Sequence, residues 1–133
     1  MIVELRYAPL PFIGLIARHY WFVVFEDSGG CHRWEVWQTK NAGGLSIGHV
    51  HCDLKAPDAG VGGGPAVTAT QWSGEEARRI AQVLDAKAYP FTQKYRLWPG
   101  PNSNSFAAWV LREAGIQYRL DRRAIGRGYL AKR

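Results

Sequence analysis

The chain has 133 residues, the length of one domain with a core of its own. An apolar share of 47%, with six Trp to fill a core or wall a pocket, is that of a globular protein rather than a disordered one. Two cysteines, Cys31 and Cys52, exclude a disulfide framework and leave at most one bridge. The net charge is +6, and residues 119–133 carry six basic residues against Asp121, so +5 of it sits there and the rest of the chain is near neutral. Such a basic tail can touch an anionic surface, but basic and aromatic residues are not interleaved in a nucleic-acid motif, so nucleic acid is not the expected partner.

In chain order, Ile2 to Tyr7 alternates weakly and reads as a strand. Leu10 to Ala17 is the longest apolar run, broken by Pro11 and Gly14. It is too short to span a bilayer and lacks the flanks of a signal peptide, so it reads as a buried loop or strand. With no signal peptide evident, the expected compartment is the cytoplasm. Arg18 to Glu26 is rich in aromatic and β-branched residues and is the strongest strand. Asp27–Gly30 is a turn, and His32 to Gln38 alternates as the hairpin partner. Asn41–Gly44 turns again into a third strand of the meander, Leu45 to Leu54.

Lys55 to Pro65 reads as loop. Its Gly60–Gly64 segment lacks the Lys-Ser/Thr of a phosphate loop and is at most a flexible cover for a cleft. Val67 to Thr70 is a short strand. Ser73 and Glu76 have capping-box spacing and open a helix to about Ala88, with Ala77, Ile80, Ala81, Leu84 and Ala88 on one stripe and Pro90 beyond. Tyr95 to Trp98 is extended. A second helix runs from about Ser103 to Ala114, with Phe106, Ala107, Val110 and Leu111 inward and Gly115 as its stop. The order predicts one α+β domain over 1–133, a small antiparallel meander packed against two helices, with a basic tail from about 119.

The block Tyr95-Arg-Leu-Trp-Pro-Gly-Pro-Asn-Ser-Asn-Ser-Phe106 sets a stiff turn before a cluster of small polar residues at a helix start. It resembles the hallmark of the bacterial domain of unknown function 3750 family. Pro57-Asp58, Gly74–Ala77, Tyr89-Pro90, Ala124–Gly126 and the early His19-Tyr-Trp21 also match that family. More distantly, a His on an early strand followed by a late Asn-x-Asn-x-Phe at a helix start resembles permuted papain-like proteins of the NlpC type. Some of those are amidases, peptidases or lipid acyltransferases. In this chain Ser103 stands where their Cys would.

That resemblance implies a permuted papain-like fold and a hydrolase or acyltransferase acting on an amide or ester of a small molecule, peptide or lipid. Ser103 would be the nucleophile and His19 the base. Both roles have independent support in the residues. A hydroxyl at a helix start lies at the positive end of the dipole beside free N–H groups, which can stabilise an oxyanion. A Ser hydroxyl needs a base, and His19 is the His on the strongest strand. Glu35 or Gln38 on the next strand would orient the imidazole, with Glu35 preferred.

Asn102, Asn104, Tyr95, Trp98 and Trp21 are candidate ligand contacts. Each also has a structural reading, as helix cap or core. The same cleft without chemistry would make a non-catalytic binding domain. His49 and His51 share one strand face, and Cys31, His32 and Cys52 could join them around a metal. Their spacing fits no zinc signature, so neither metal nor cofactor is expected.

Overall fold

The computed structural model describes residues 1–129; Lys132 and Arg133 of the basic tail lie outside the described residues. Five strands are formed: β1 (Ile2–Pro9), β2 (Arg18–Phe25), β3 (Cys31–Ala42), β4 (Leu45–Cys52) and β5 (Val67–Ser73). Two helices follow, α1 (Gly74–Ala86) and α2 (Ser103–Glu113). The strands make one sheet in the order β4-β3-β2-β1-β5, with every adjacent pair antiparallel. Consecutive strands β1 to β4 form the expected meander, and β5 returns beside β1 to feed α1.

Strand alternation divides the side chains between two faces. Val3 and Leu5, Tyr20, Phe22 and Val24, and Trp34 and Val36 lie in the main core with the helices. Ala77, Ile80, Ala81 and Leu84 of α1 and Phe106, Ala107, Val110 and Leu111 of α2 complete it. Each large aliphatic side chain so buried stabilises the fold by about 1.5–3 kcal/mol. Trp21, Val23 and Ala8 form a small cluster apart from it. His19 belongs to the Trp21 set by alternation, and Glu35 and Arg33 occupy the corresponding positions of β3.

Pairing between β2 and β3 runs from Phe25↔Cys31 to Phe22↔Trp34 and goes no further. Residues 18–21 therefore leave part of their backbone for another partner. The start of α2 supplies it. Tyr20 N–H donates to Asn104 Oδ1 at 3.0 Å, and Asn104 Nδ2 donates to Arg18 O at 2.7 Å. Arg18 N–H donates to Arg123 O at 2.8 Å. The helix N-terminus is thus pinned to the strand that carries His19, on either side of that residue.

Three local expectations change. Ser73 stands at the N-cap of α1, but its side chain makes no capping hydrogen bond. It is still paired with Ile2 in the sheet, and Gly74 at φ +57 turns the chain into the helix instead. α1 stops at Ala86 because Lys87 adopts the left-handed conformation, which leaves Ala88 exposed. The apolar run Leu10 to Ala17 is not buried: Phe12, Leu15 and Ile16 are exposed, and only Ala17 is enclosed. Gly62–Gly64 lies against Pro9, Leu10 and Pro11 at the base of this loop.

Candidate active site

The start of α2 is built from its own polar residues. Trp98–Pro99 and Gly100–Pro101 are cis peptides, and Gly100 has φ +107. Arg96 N–H donates to Pro101 O at 3.0 Å, so the chain doubles back immediately before Asn102. Asn102 Oδ1 accepts from the N–H groups of Asn104 and Ser105 at 2.8 and 3.3 Å. Ser105 Oγ accepts from Asn102 N–H at 3.1 Å and closes a capping box. The remaining groups tie down neighbouring segments. Asn102 Nδ2 donates to the carbonyls of Arg96, Leu97 and Ile125, and Ser105 Oγ donates to Gly126 O at 2.7 Å. Asn104 Nδ2 also reaches Ile125 O at 2.9 Å. The side chains of Asn102, Asn104 and Ser105 are therefore engaged with backbone; Ser103 is the member of the cluster that the cap does not use.

On the sheet, His19 Nε2 lies 2.7 Å from Glu35 Oε1. Arg33 grips the same carboxylate with two donors, Nε to Oε2 at 2.6 Å and Nη2 to Oε1 at 2.8 Å. Arg33 Nη1 donates to the carbonyls of Ala56 and Ala59, and the guanidinium lies over the Trp21 ring at 3.9 Å. Trp21 Nε1 donates to Pro57 O at 3.0 Å. Arg33 and Glu35 are fully buried and His19 is 4% exposed.

Burial by itself would raise the Glu35 carboxyl, but hydrogen bonds from His19 and Arg33 outweigh it and hold the group at about 2. Burial lowers His19 below its usual value despite the pull of Glu35, so the ring is neutral at pH 7. A neutral ring beside an ionised carboxylate carries its proton on Nε2 and donates it to Glu35. Nδ1 is then the basic nitrogen. Glu35 is the expected orienting group by contact. Gln38 instead donates to Ser46 Oγ at 2.9 Å.

Ser103 is 3% exposed. Its hydroxyl and backbone both hydrogen-bond with the Tyr95 phenol, which burial raises above its ordinary value, with the Glu35 charge adding to the rise. No hydrogen bond joins Ser103 to His19. Of the helix-start amides proposed as oxyanion donors, those of Asn104 and Ser105 are consumed by the cap, and that of Ser103 is engaged with the Tyr95 phenol, so it can serve an oxyanion only once that contact opens. Trp98 is 73% exposed at the rim of this end of the molecule. Trp37, which the sequence did not single out, packs its ring 5.3 Å from that of His19 and keeps a buried indole N–H without a hydrogen-bond partner. Arg33 was also missed; its two-residue spacing from Glu35 on an alternating strand was the available signal.

The metal constellation regroups. Among the described residues His32, Cys52 and Asp53 bring ligand atoms within 4.8 Å of one another, while His49 and His51 stand apart as a ring pair at 6.2 Å. Asp53 is already used: it accepts from Arg33 N–H at 2.8 Å and pairs with His32 Nδ1 at 2.7 Å. Burial and the Asp53 charge push the Cys52 thiol up to about 11. Cys31 and Cys52 are both free. A concavity of about 600 Å³ is lined by Leu111, Ile116, Tyr118, Arg119 and Arg127 among others, and neither His19 nor Ser103 lines it.

Fold and site together define a small α+β protein in which a helix start is clamped beside a buried His–Glu–Arg network. The chain belongs to the family described as protein of unknown function (DUF3750), which it matches over residues 1–129. No curated protein and no solved structure matches it.

Proposed function

We propose that this chain is a hydrolase or acyltransferase of permuted papain-like architecture that acts on an amide or ester. The observation carrying the reading is the 2.7 Å contact of His19 Nε2 with the buried Glu35 carboxylate. That nitrogen is committed to an ionised Glu35, so Nδ1 is left as the base, on the strand segment to which Asn104 pins the start of α2. In this reading Ser103 Oγ leaves Tyr95, turns to His19 and attacks the acyl carbon while Nδ1 takes its proton. The tetrahedral oxyanion accepts from Ser103 N–H and the Tyr95 phenol. His19 returns the proton to the leaving group, and water or a second alcohol or amine then takes the acyl group from Ser103. Trp37 N–H, unpartnered beside His19, is a further donor for a bound substrate.

A second reading, a non-catalytic binding domain, is favoured by the enclosure of Ser103 and by its bond to Tyr95. A fluorophosphonate probe and a panel of acyl esters and amides separate the two. The catalytic reading expects labelling and turnover that vanish in Ser103→Ala and persist in altered form in Ser103→Cys. Labelling that survives in Ser103→Ala removes Ser103 as nucleophile. A folded wild-type chain that neither labels nor turns over any member of the panel favours the binding domain.

A further inference from the structure

The loop between β1 and β2 presents apolar side chains outward from a bonded scaffold. Phe12 is 106% exposed, Leu15 93% and Ile16 64%. The loop is held in shape by its own backbone: Leu10 N–H donates to Ala17 O, and the N–H groups of Ile16 and Ala17 both donate to Ile13 O. Below it, Pro9 to Pro11 pack on Gly62–Gly64. Water-facing Phe, Leu and Ile on an ordered hook are costly unless another phase covers them.

Two other segments meet the base of this loop. Arg18, its last neighbour, bonds Arg123 through the backbone and Asn104 through its carbonyl. Asn104 and Asn102 together hold the carbonyl of Ile125, and Asn102 also holds that of Leu97. Exposed Leu97 and Trp98, and the basic run containing Arg122, Arg123 and Arg127, therefore share one end of the molecule with the loop. Asp121 is the acid there, within 3.9 Å of both Arg18 and Arg123.

We propose that this end is a docking surface for an anionic lipid bilayer. Phe12, Leu15, Ile16 and Trp98 would enter the boundary between headgroups and acyl chains, and Arg122 and Arg123 would meet lipid phosphates. The apolar groups protrude as knobs, which suits a fluid layer that closes around them, and the adjoining charge is of the sign that anionic headgroups attract. No helix among the described residues is long and apolar enough to cross a membrane, so attachment is at the surface. The docking stands apart from the acyl-transfer reading and is measured without turnover.

The test is co-sedimentation of the full chain with phosphatidylcholine vesicles, with and without phosphatidylglycerol, over a range of salt. Binding is expected to the anionic vesicles and to weaken with salt. Phe12→Ser and Leu15→Ser should each lower partitioning about ten-fold or more. Reversal at Arg122→Glu or Arg123→Glu should cost at least about five-fold. Both loop side chains are exposed, so unchanged circular dichroism and thermal midpoint should accompany the loss. Lack of binding to anionic vesicles overturns the proposal, as does binding unaltered by both loop variants, which would assign attachment to charge alone. A lipid-free dimer that becomes monomeric in Phe12→Ser would instead give the surface to a second copy of the chain.

Discussion

Replacing Glu35 by Gln removes the charge that holds His19 and Arg33 while keeping the shape. The carboxyl sits at about 2 in the fold against an ordinary 4.5. That difference, at 1.36 kcal/mol per unit, corresponds to about 3 kcal/mol of stability at neutral pH. The independent view from Arg33 agrees. Its guanidinium is fully buried, and stranding such a charge costs about 3–5 kcal/mol. Glu35→Gln should therefore lower the unfolding free energy by about 3 kcal/mol at pH 7.

The pH dependence carries the sharper test. A depressed folded pKa gives stability that is present above the unfolded value and lost as pH falls toward the folded one. The Glu35 contribution should thus fade from 4.5 toward 2, and the gap between wild type and variant should shrink over that window. His19, lowered by burial, acts with the same sign from 6.5 downward, since the unfolded chain takes a proton that the folded ring refuses. Other depressed carboxylates such as Asp53 are common to both proteins and cancel in the difference. Urea unfolding followed by Trp fluorescence, from neutral pH to about 3, measures it. A penalty under about 1 kcal/mol at pH 7, or a gap that does not narrow on acidification, would refute the buried-network argument.

The two helix starts make a paired prediction. Ser73→Ala should shift stability by less than about 0.5 kcal/mol, because no side-chain cap exists there. Asn102→Ala should cost about 2 kcal/mol or more, since the cap is lost and three backbone carbonyls lose a donor. Urea midpoints compare the two. Gly126→Ala should be severe. A Cβ there would collide with the Asn102 side-chain amide, on a backbone at φ +98, whereas at Gly128 it would meet nothing within 4 Å. Thermal midpoints should separate the two alanine variants clearly, and near-equal midpoints would show that the 96–102 and 125–126 segments are not locked together.

What the sequence exposed and what it hid follow from the range of the interactions. β2 and the His32–Gln38 part of β3 were legible because alternation and turn residues are local, and the inward stripes of both helices held at Ala77, Ile80, Leu84, Phe106 and Val110. The cap at α1 misled because its spacing is local while its geometry is not: Ser73 is still bound to Ile2, seventy-one positions away in sequence. Asn102 and Asn104 were visible as polar residues at a helix start. Their second role was not, because it depends on β2 and β3 parting beyond Phe22 and on residues 125–126 returning to the same place.

The same gap explains the site. Glu35 could be guessed from its strand, but Arg33 and Trp37 acquire meaning only when β3 lies beside His19. The exposed Phe12, Leu15 and Ile16 show the converse limit. Hydropathy reports what a side chain would prefer, and Leu10–Ala17 reads as buried on that ground. Its display to the outside is a property of where Pro9, Leu10 and Ala17 are anchored, and an apolar loop held outward in that way is a reason to look for the phase that covers it.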